Sequence, residues 1–135
     1  MAFRTRRHVD WGDCDAAGIV FYPNFFRWMD SVFHELSTEK GFDHTDLDQY
    51  GVFATPLRDV GAAFRTPARY NTWLTVEALV TRVGETGFGI GYRFLAGDRL
   101  VAEGREDRVC VKQVLGGISK TPIPDPIRAA LESLR

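Results

Sequence analysis

Between Gly87 and Phe94 the chain reads Gly-Phe-Gly-Ile-Gly-Tyr-Arg-Phe, a period-two alternation that suits an extended strand and no helix. Phe88, Ile90, Tyr92 and Phe94 then share one face, which needs a cover, while the three glycines leave the opposite face almost bare. Glycines inside a strand mark a close approach to the backbone, by a buried helix, a neighbouring subunit or a ligand. Ala96-Gly97-Asp98-Arg99 is a tight-turn signal leading into Leu100 to Val114, so these two strands are expected to form a hairpin. Trp73 to Val83 supplies another strand, with Leu74, Val76, Ala78 and Val80 opposite Thr75, Glu77 and Thr81.

Upstream the period changes. Phe3 to Trp11 reads as a first strand, and Gly12-Asp13-Cys14-Asp15-Ala16-Ala17-Gly18 as a turn-rich break. Phe25, Trp28, Met29, Val32, Phe33 and Leu36 then recur at the helical period, with Pro23 in the first turn and Gly41 as the stop after about Lys40. The stripe is broad and aromatic, which predicts a central buried helix. Pro122, Pro124 and Pro126 introduce a short amphipathic tail, Ile127 to Leu134. One long helix followed by a run of antiparallel strands indicates an α+β architecture with the helix on one sheet face.

The 135 residues fit one domain, 1–135, able to bury a core without staples. A formal net charge of −1 gives no global attraction to nucleic acid or to an anionic membrane. Cys14 and Cys110 form no disulfide framework and no zinc spacing. No apolar run reaches membrane-spanning length and the first residues lack a signal peptide's apolar stretch, so a cytoplasmic protein with free thiols is expected.

Trp11 to Phe25 carries the chemistry-bearing residues. Two carboxylates, Asp13 and Asp15, sit in a glycine-bounded loop just before the helix, where backbone N–H groups lack intrahelical partners. Such a group can polarise a carbonyl, and a carboxylate beside it can attack the carbonyl carbon or activate a water. Pro23 has no N–H, which makes Tyr22 the first candidate donor. An aspartate before a helix is more often a cap or turn residue, and that is the reading preferred for Asp13.

The run Asp13-Cys14-Asp15-Ala16-Ala17-Gly18-Ile19-Val20-Phe21-Tyr22-Pro23-Asn24, followed by Arg27-Trp28-Met29-Asp30, resembles the 4-hydroxybenzoyl-CoA thioesterase family of hotdog-fold proteins. More loosely, the likeness continues through Thr55-Pro56 and the later strands. The resemblance implies a hotdog fold, a long central helix wrapped by a five-stranded antiparallel sheet. It implies hydrolysis of an aromatic, hydroxybenzoyl-type acyl-CoA without cofactor or metal, in a homodimer or homotetramer. By position it makes Asp15 the catalytic carboxylate and Tyr22 the backbone donor to the thioester carbonyl. Gly18 falls in the substrate-lining loop, Asp30 on the residue that binds a ring hydroxyl, and Thr55 near the active site of the partner subunit. The basic cluster of the type enzyme's CoA site is replaced by Gly84-Glu85-Thr86-Gly87-Phe88, which keeps an acyl carrier protein open as carrier.

Other readings compete. A thiol nucleophile at Cys14 has no histidine tied to it by spacing. Asp10-x-x-Asp13-x-Asp15 lacks the glycine and glutamate of a calcium loop, and Gly87-x-Gly89-x-Gly91 lies in a strand instead of a strand-to-helix turn. His8, His34 and His44 share no metal-ligand spacing. A hotdog dehydratase would carry a histidine in the reactive loop, and none lies between Asp10 and Phe33. The remaining alternatives are a general short-chain acyl-CoA or acyl-carrier-protein thioesterase and a non-catalytic acyl-CoA binder. A binder has no need of Asp15.

Overall fold

The computed structural model describes residues 1–135. Strand β1 (Phe3–His8) leads through a 3₁₀ turn (Trp11–Asp13) and the Asp15 loop into helix α1 (Pro23–Glu39). A second 3₁₀ turn (Leu47–Tyr50) precedes β2 (Leu57–Phe64), β3 (Trp73–Val83), β4 (Gly87–Ala96) and β5 (Arg99–Val109). A small hairpin, β6 (Val111–Val114) with β7 (Gly117–Lys120), and helix α2 (Asp125–Glu132) complete the chain. The five long strands form one antiparallel sheet in the order β1-β3-β4-β5-β2, so β1 and β2 are its edges.

Helix α1 lies on this sheet because its apolar stripe has no other cover. Phe25, Trp28, Met29, Val32, Phe33 and Leu36 are all buried, against Leu74, Val76, Phe88, Ile90, Tyr92 and Phe94 from the strands. Each such side chain contributes roughly 1.5–3 kcal/mol on leaving water. Phe25 meets Trp28 and Phe94 edge-on, with ring centroids 5.5 and 5.2 Å apart. The expected architecture is therefore present.

Three local readings need correction. The first strand ends at His8, and Trp11 turns outward in the 3₁₀ turn. The predicted strand from Leu100 to Val114 is broken at Cys110, after which β6 leaves the sheet to pair with β7. The close approach of the buried helix also falls on a different glycine from the three in β4. A methyl group on Gly89 would meet Thr81 Oγ1 at 2.7 Å and Asp107 Oδ1 at 3.4 Å, so side chains of the flanking strands fill the bare face. The glycine that the buried helix approaches is Gly104 in β5, where an added methyl would lie 2.6 Å from Met29 Sδ.

Candidate active site

The Asp15 loop is shaped by its own backbone. Asp15 N–H donates to the Ile19 carbonyl at 2.9 Å, and Gly18 N–H donates to the Asp15 carbonyl at 3.0 Å. Gly18 takes φ +75°, a left-handed conformation that a side chain would strain. Ala17 N–H donates to Asp15 Oδ1 at 2.8 Å and orients the carboxylate. A bridge from Cys14 to Val20 closes the loop on itself, and one from Ile19 to Arg69 pins it to the body.

Asp13 holds that loop against the helix, as a structural residue would. Its Oδ1 accepts from Arg27 Nη2 at 2.7 Å and its Oδ2 from Asp10 N–H at 2.9 Å. Its carbonyl accepts from Asn24 Nδ2 at 2.8 Å and Phe21 N–H at 2.9 Å. Between Asp13 and the helix the chain turns so that Tyr22 is the residue capping α1, with Pro23 in its first turn. Asn24 N–H donates to Phe21 and Phe25 N–H to Tyr22, but Tyr22 N–H donates to no protein acceptor. It is a free donor at the positive end of a helix of 17 residues.

Asp15 and Tyr22 share one cavity of about 380 Å³, whose apolar wall includes Ile19, Phe25, Phe64 and Pro67. Gly18 shapes the turn above but is not among the residues lining this cavity. Arg65 stands on the wall too and is paired with Glu103 at 2.8 Å. A carboxylate, an unpaired N–H and an apolar enclosure are what attack on a carbonyl requires. Cys14, beside Asp15, is unsuited to the same task. Burial and then the charges of Asp13 and Asp15 push its thiol up, away from the thiolate.

Asp30 and Thr55 lie elsewhere in the same chain. Thr55 is buried and lines a second cavity, about 210 Å³, between α1 and residues 53–56, with no lining residue shared with the first. Asp30 sits on the exposed flank of α1, in an open groove with Ser31, His34 and Thr38. One residue joins the two. Arg108 donates from Nη2 to Asp30 Oδ1 at 3.0 Å and from Nη1 to the Thr55 carbonyl at 3.1 Å.

Arg108 and its supports were missed by sequence reasoning. Its guanidinium lies 3.8 Å from the centroid of the Phe33 ring and pairs twice with Glu106, at 3.1 Å each. The Tyr92 hydroxyl donates to Glu106 at 2.6 Å. Burial, reinforced by Glu106, drives the Tyr92 hydroxyl well above its ordinary range and keeps it a donor. For Arg108 burial alone opposes the charge, but Glu106 outweighs it and the guanidinium is held charged. No group of three His, Cys, Asp or Glu side chains is placed to hold a metal ion, and no helix is long and apolar enough to cross a membrane.

Comparison with known proteins adds independent findings. The family model of the thioesterase-like superfamily matches residues 9–131. The 4-hydroxybenzoyl-CoA thioesterase of Pseudomonas sp. (strain CBS-3) is 31% identical over 77 residues, 56% of this chain and 55% of that enzyme. The match thus spans about half the length of that relative. The 1,4-dihydroxy-2-naphthoyl-CoA hydrolase of Thermosynechococcus vestitus is 27% identical over 130 residues, 95% of this chain and 87% of that one. The solved structure of a gentisyl-coenzyme A thioesterase is similar with TM-score 0.81 at 29% identity, covering 96% of this chain and 99% of that one.

Proposed function

The chain belongs to the thioesterase-like superfamily, and from this we propose that it hydrolyses an aromatic acyl-CoA thioester to the free acid and CoA. The observation that carries the reading is the cavity that Asp15 shares with Tyr22, whose N–H has no protein acceptor. With the thioester carbonyl oxygen on that N–H, electron density leaves the carbonyl carbon and the oxyanion is stabilised as it forms. Asp15 then acts in one of two ways. It attacks the carbon directly, expelling CoA thiolate and leaving an acyl-aspartyl anhydride that water cleaves, or it takes a proton from a water that attacks. Single-turnover hydrolysis in ¹⁸O-water separates these, since only the anhydride route can leave label in the Asp15 carboxylate.

The acyl ring needs a second wall. In a dimer, Asp30 and Thr55 of one protomer would face the Asp15 cavity of the other. The edge strand β2 offers a surface for such a contact, with Leu57, Val60 and Phe64 exposed along it. Asp30 Oδ1 is engaged by Arg108, while Oδ2 has no partner and is available to a ring hydroxyl. An enzyme of this kind would work on the acyl-CoA pool of the cytoplasm, as a homodimer or homotetramer.

Thiol release from benzoyl-, 4-hydroxybenzoyl- and short aliphatic acyl-CoAs tests the assignment. The hydroxylated aromatic substrate should give the highest kcat/KM. Asp30→Ala should penalise it over benzoyl-CoA by roughly 10- to 150-fold, the worth of a hydrogen bond to a charged group. Faster turnover of the aliphatic substrates would reduce the assignment to a general acyl-CoA thioesterase. No release from any of them would leave a binding protein.

A further inference from the structure

Asn24 is the second residue of α1, and it grips the chain at three points. Its backbone N–H donates to the Phe21 carbonyl at 2.9 Å. Its Nδ2 donates to the Asp13 carbonyl at 2.8 Å, and that same carbonyl accepts from Phe21 N–H at 2.9 Å. Its Oδ1 accepts from Arg27 Nε at 3.3 Å, while Arg27 Nη2 donates to Asp13 Oδ1 at 2.7 Å. Only one orientation of the amide serves both ends, since a carbonyl only accepts and a guanidinium only donates. Asp13, Asn24 and Arg27 thus close a ring of hydrogen bonds between the loop that carries Asp15 and the first turn of the helix.

That ring bears on Tyr22. The chain has no cis peptide bond, so the Phe21 carbonyl and the Tyr22 N–H point in opposite directions from one rigid plane. Asn24 N–H fixes the carbonyl side of this plane, and the bond from Phe21 N–H to Asp13 fixes the preceding one. The direction of the unpaired Tyr22 N–H is set in this way. Its placement relative to Asp15, two residues after Asp13, is set by the tie from the Asn24 side chain to the Asp13 carbonyl. Helix capping does not account for that tie. A cap accepts from the free N–H groups of its helix, whereas the Asn24 amide donates to a loop carbonyl.

We propose that Asn24 is a positioning residue, whose side chain holds the Tyr22 N–H in the relation to Asp15 at which both act on one carbonyl group. The inference rests on the hydrolysis proposed above, with Tyr22 as donor, and deepens it. A donor of this kind works only when aimed, and a misplacement of about 1 Å can cost on the order of 10²-fold in rate. Asn24 does not line the Asp15 cavity, so its loss should lower kcat and leave KM nearly unchanged.

Asn24→Asp tests this. The variant keeps the size of the side chain and puts a negative charge at a helix N-terminus, where charge is favourable, but an ionised carboxylate cannot donate to the Asp13 carbonyl. On 4-hydroxybenzoyl-CoA, kcat should fall about tenfold or more while KM changes less than about threefold. Infrared difference spectra of carbonyl-¹³C-labelled 4-hydroxybenzoyl-CoA read the donor directly. Bound to Asp15→Asn protein, the thioester carbonyl band should lie below its frequency in solution, and adding Asn24→Asp should return it toward that value. A lowered band that does not move in the double variant overturns the inference and leaves the hydrolysis reading standing. No lowering in Asp15→Asn alone removes Tyr22 as donor, and the inference with it. If the thioester does not bind, the aromatic acyl-CoA reading itself falls. Should Asn24→Asp fail to fold, Arg27→Met carries the same test, because the Arg27 side chain is 60% exposed and holds Asn24 Oδ1.

Discussion

Arg108 holds Asp30 to the sheet across 78 positions of sequence, donating from Nη2 to Oδ1 at 3.0 Å. Asp30 is half exposed on the helix, whereas the Arg108 side chain is 4% exposed and that of Glu106 1%. The fixed end of the contact is therefore the buried ion pair, and Asp30 is oriented by it.

Removing Arg108 would leave Glu106 buried with only the Tyr92 hydroxyl as partner. Arg108→Met should cost about 3–5 kcal/mol of stability, the usual result of stranding a buried charge. The double variant Arg108→Met with Glu106→Leu should recover much of that loss, since no charge is stranded. Urea unfolding of the two variants and the parent measures both. A single variant within about 1 kcal/mol of the parent would mean that Glu106 finds compensation elsewhere.

The Cys110 thiol should be nearly silent in the native protein, and the half-buried Cys14 less reactive than a free thiol. Burial pushes the Cys110 thiol up to about 11, and Cys14 is raised by burial and the neighbouring carboxylates. At pH 8 roughly one Cys110 in a thousand is then thiolate, the reactive form. Thiol reagent should titrate Cys110 promptly only after denaturation. Rapid modification of Cys110 in native protein would contradict this picture.

His8 gives the fold a small pH dependence. Hydrogen bonds to Asp10, at 2.6 Å, and then to Asn71, at 2.9 Å, raise its pKa above 6.5. A raised folded-state pKa means that the contribution is fully present below about pH 6.5 and is lost as pH rises through the folded value. Solvent screening keeps it small. An NMR titration should place the His8 midpoint above 6.5 in the parent and nearer 6.5 in Asp10→Asn. Equal midpoints would remove Asp10 as the cause.

The sequence exposed the parts of this molecule that alternate cleanly. The face of Phe88, Ile90, Tyr92 and Phe94, the stripe of α1 and the turn at Gly97 are where periodicity put them. The run Arg105-Glu106-Asp107-Arg108 could not be read in that way. All four positions are charged, so polarity does not tell that Glu106 and Arg108 point inward while Arg105 and Asp107 pair on the outside with Asp59 and Arg82. Counting every second residue from Gly104 along β5 would have supplied the signal, but only once the helix was known to rest on Gly104. Similarly, the loop motif located Asp15 and Tyr22 together. Their separation from Asp30 and Thr55 is a matter of tertiary packing that spacing does not express.

Because Asp15 and Tyr22 line one cavity while Thr55 lines a second and Asp30 an open groove, a joint site of the proposed kind needs at least two copies in the active form. Light scattering at assay concentration should give twice 15.2 kDa or a higher even multiple. A fully active species of 15.2 kDa would show that one chain suffices.

The central claim is that Asp15 performs the chemistry, and Asp15→Asn tests it most directly, since the amide preserves the size of the side chain and removes its charge. On an aromatic acyl-CoA, kcat should fall by roughly 10²-fold or more, as when a general base or nucleophile is lost, while binding of the thioester persists. A variant that keeps more than about a tenth of the parent kcat would place the chemistry at another residue.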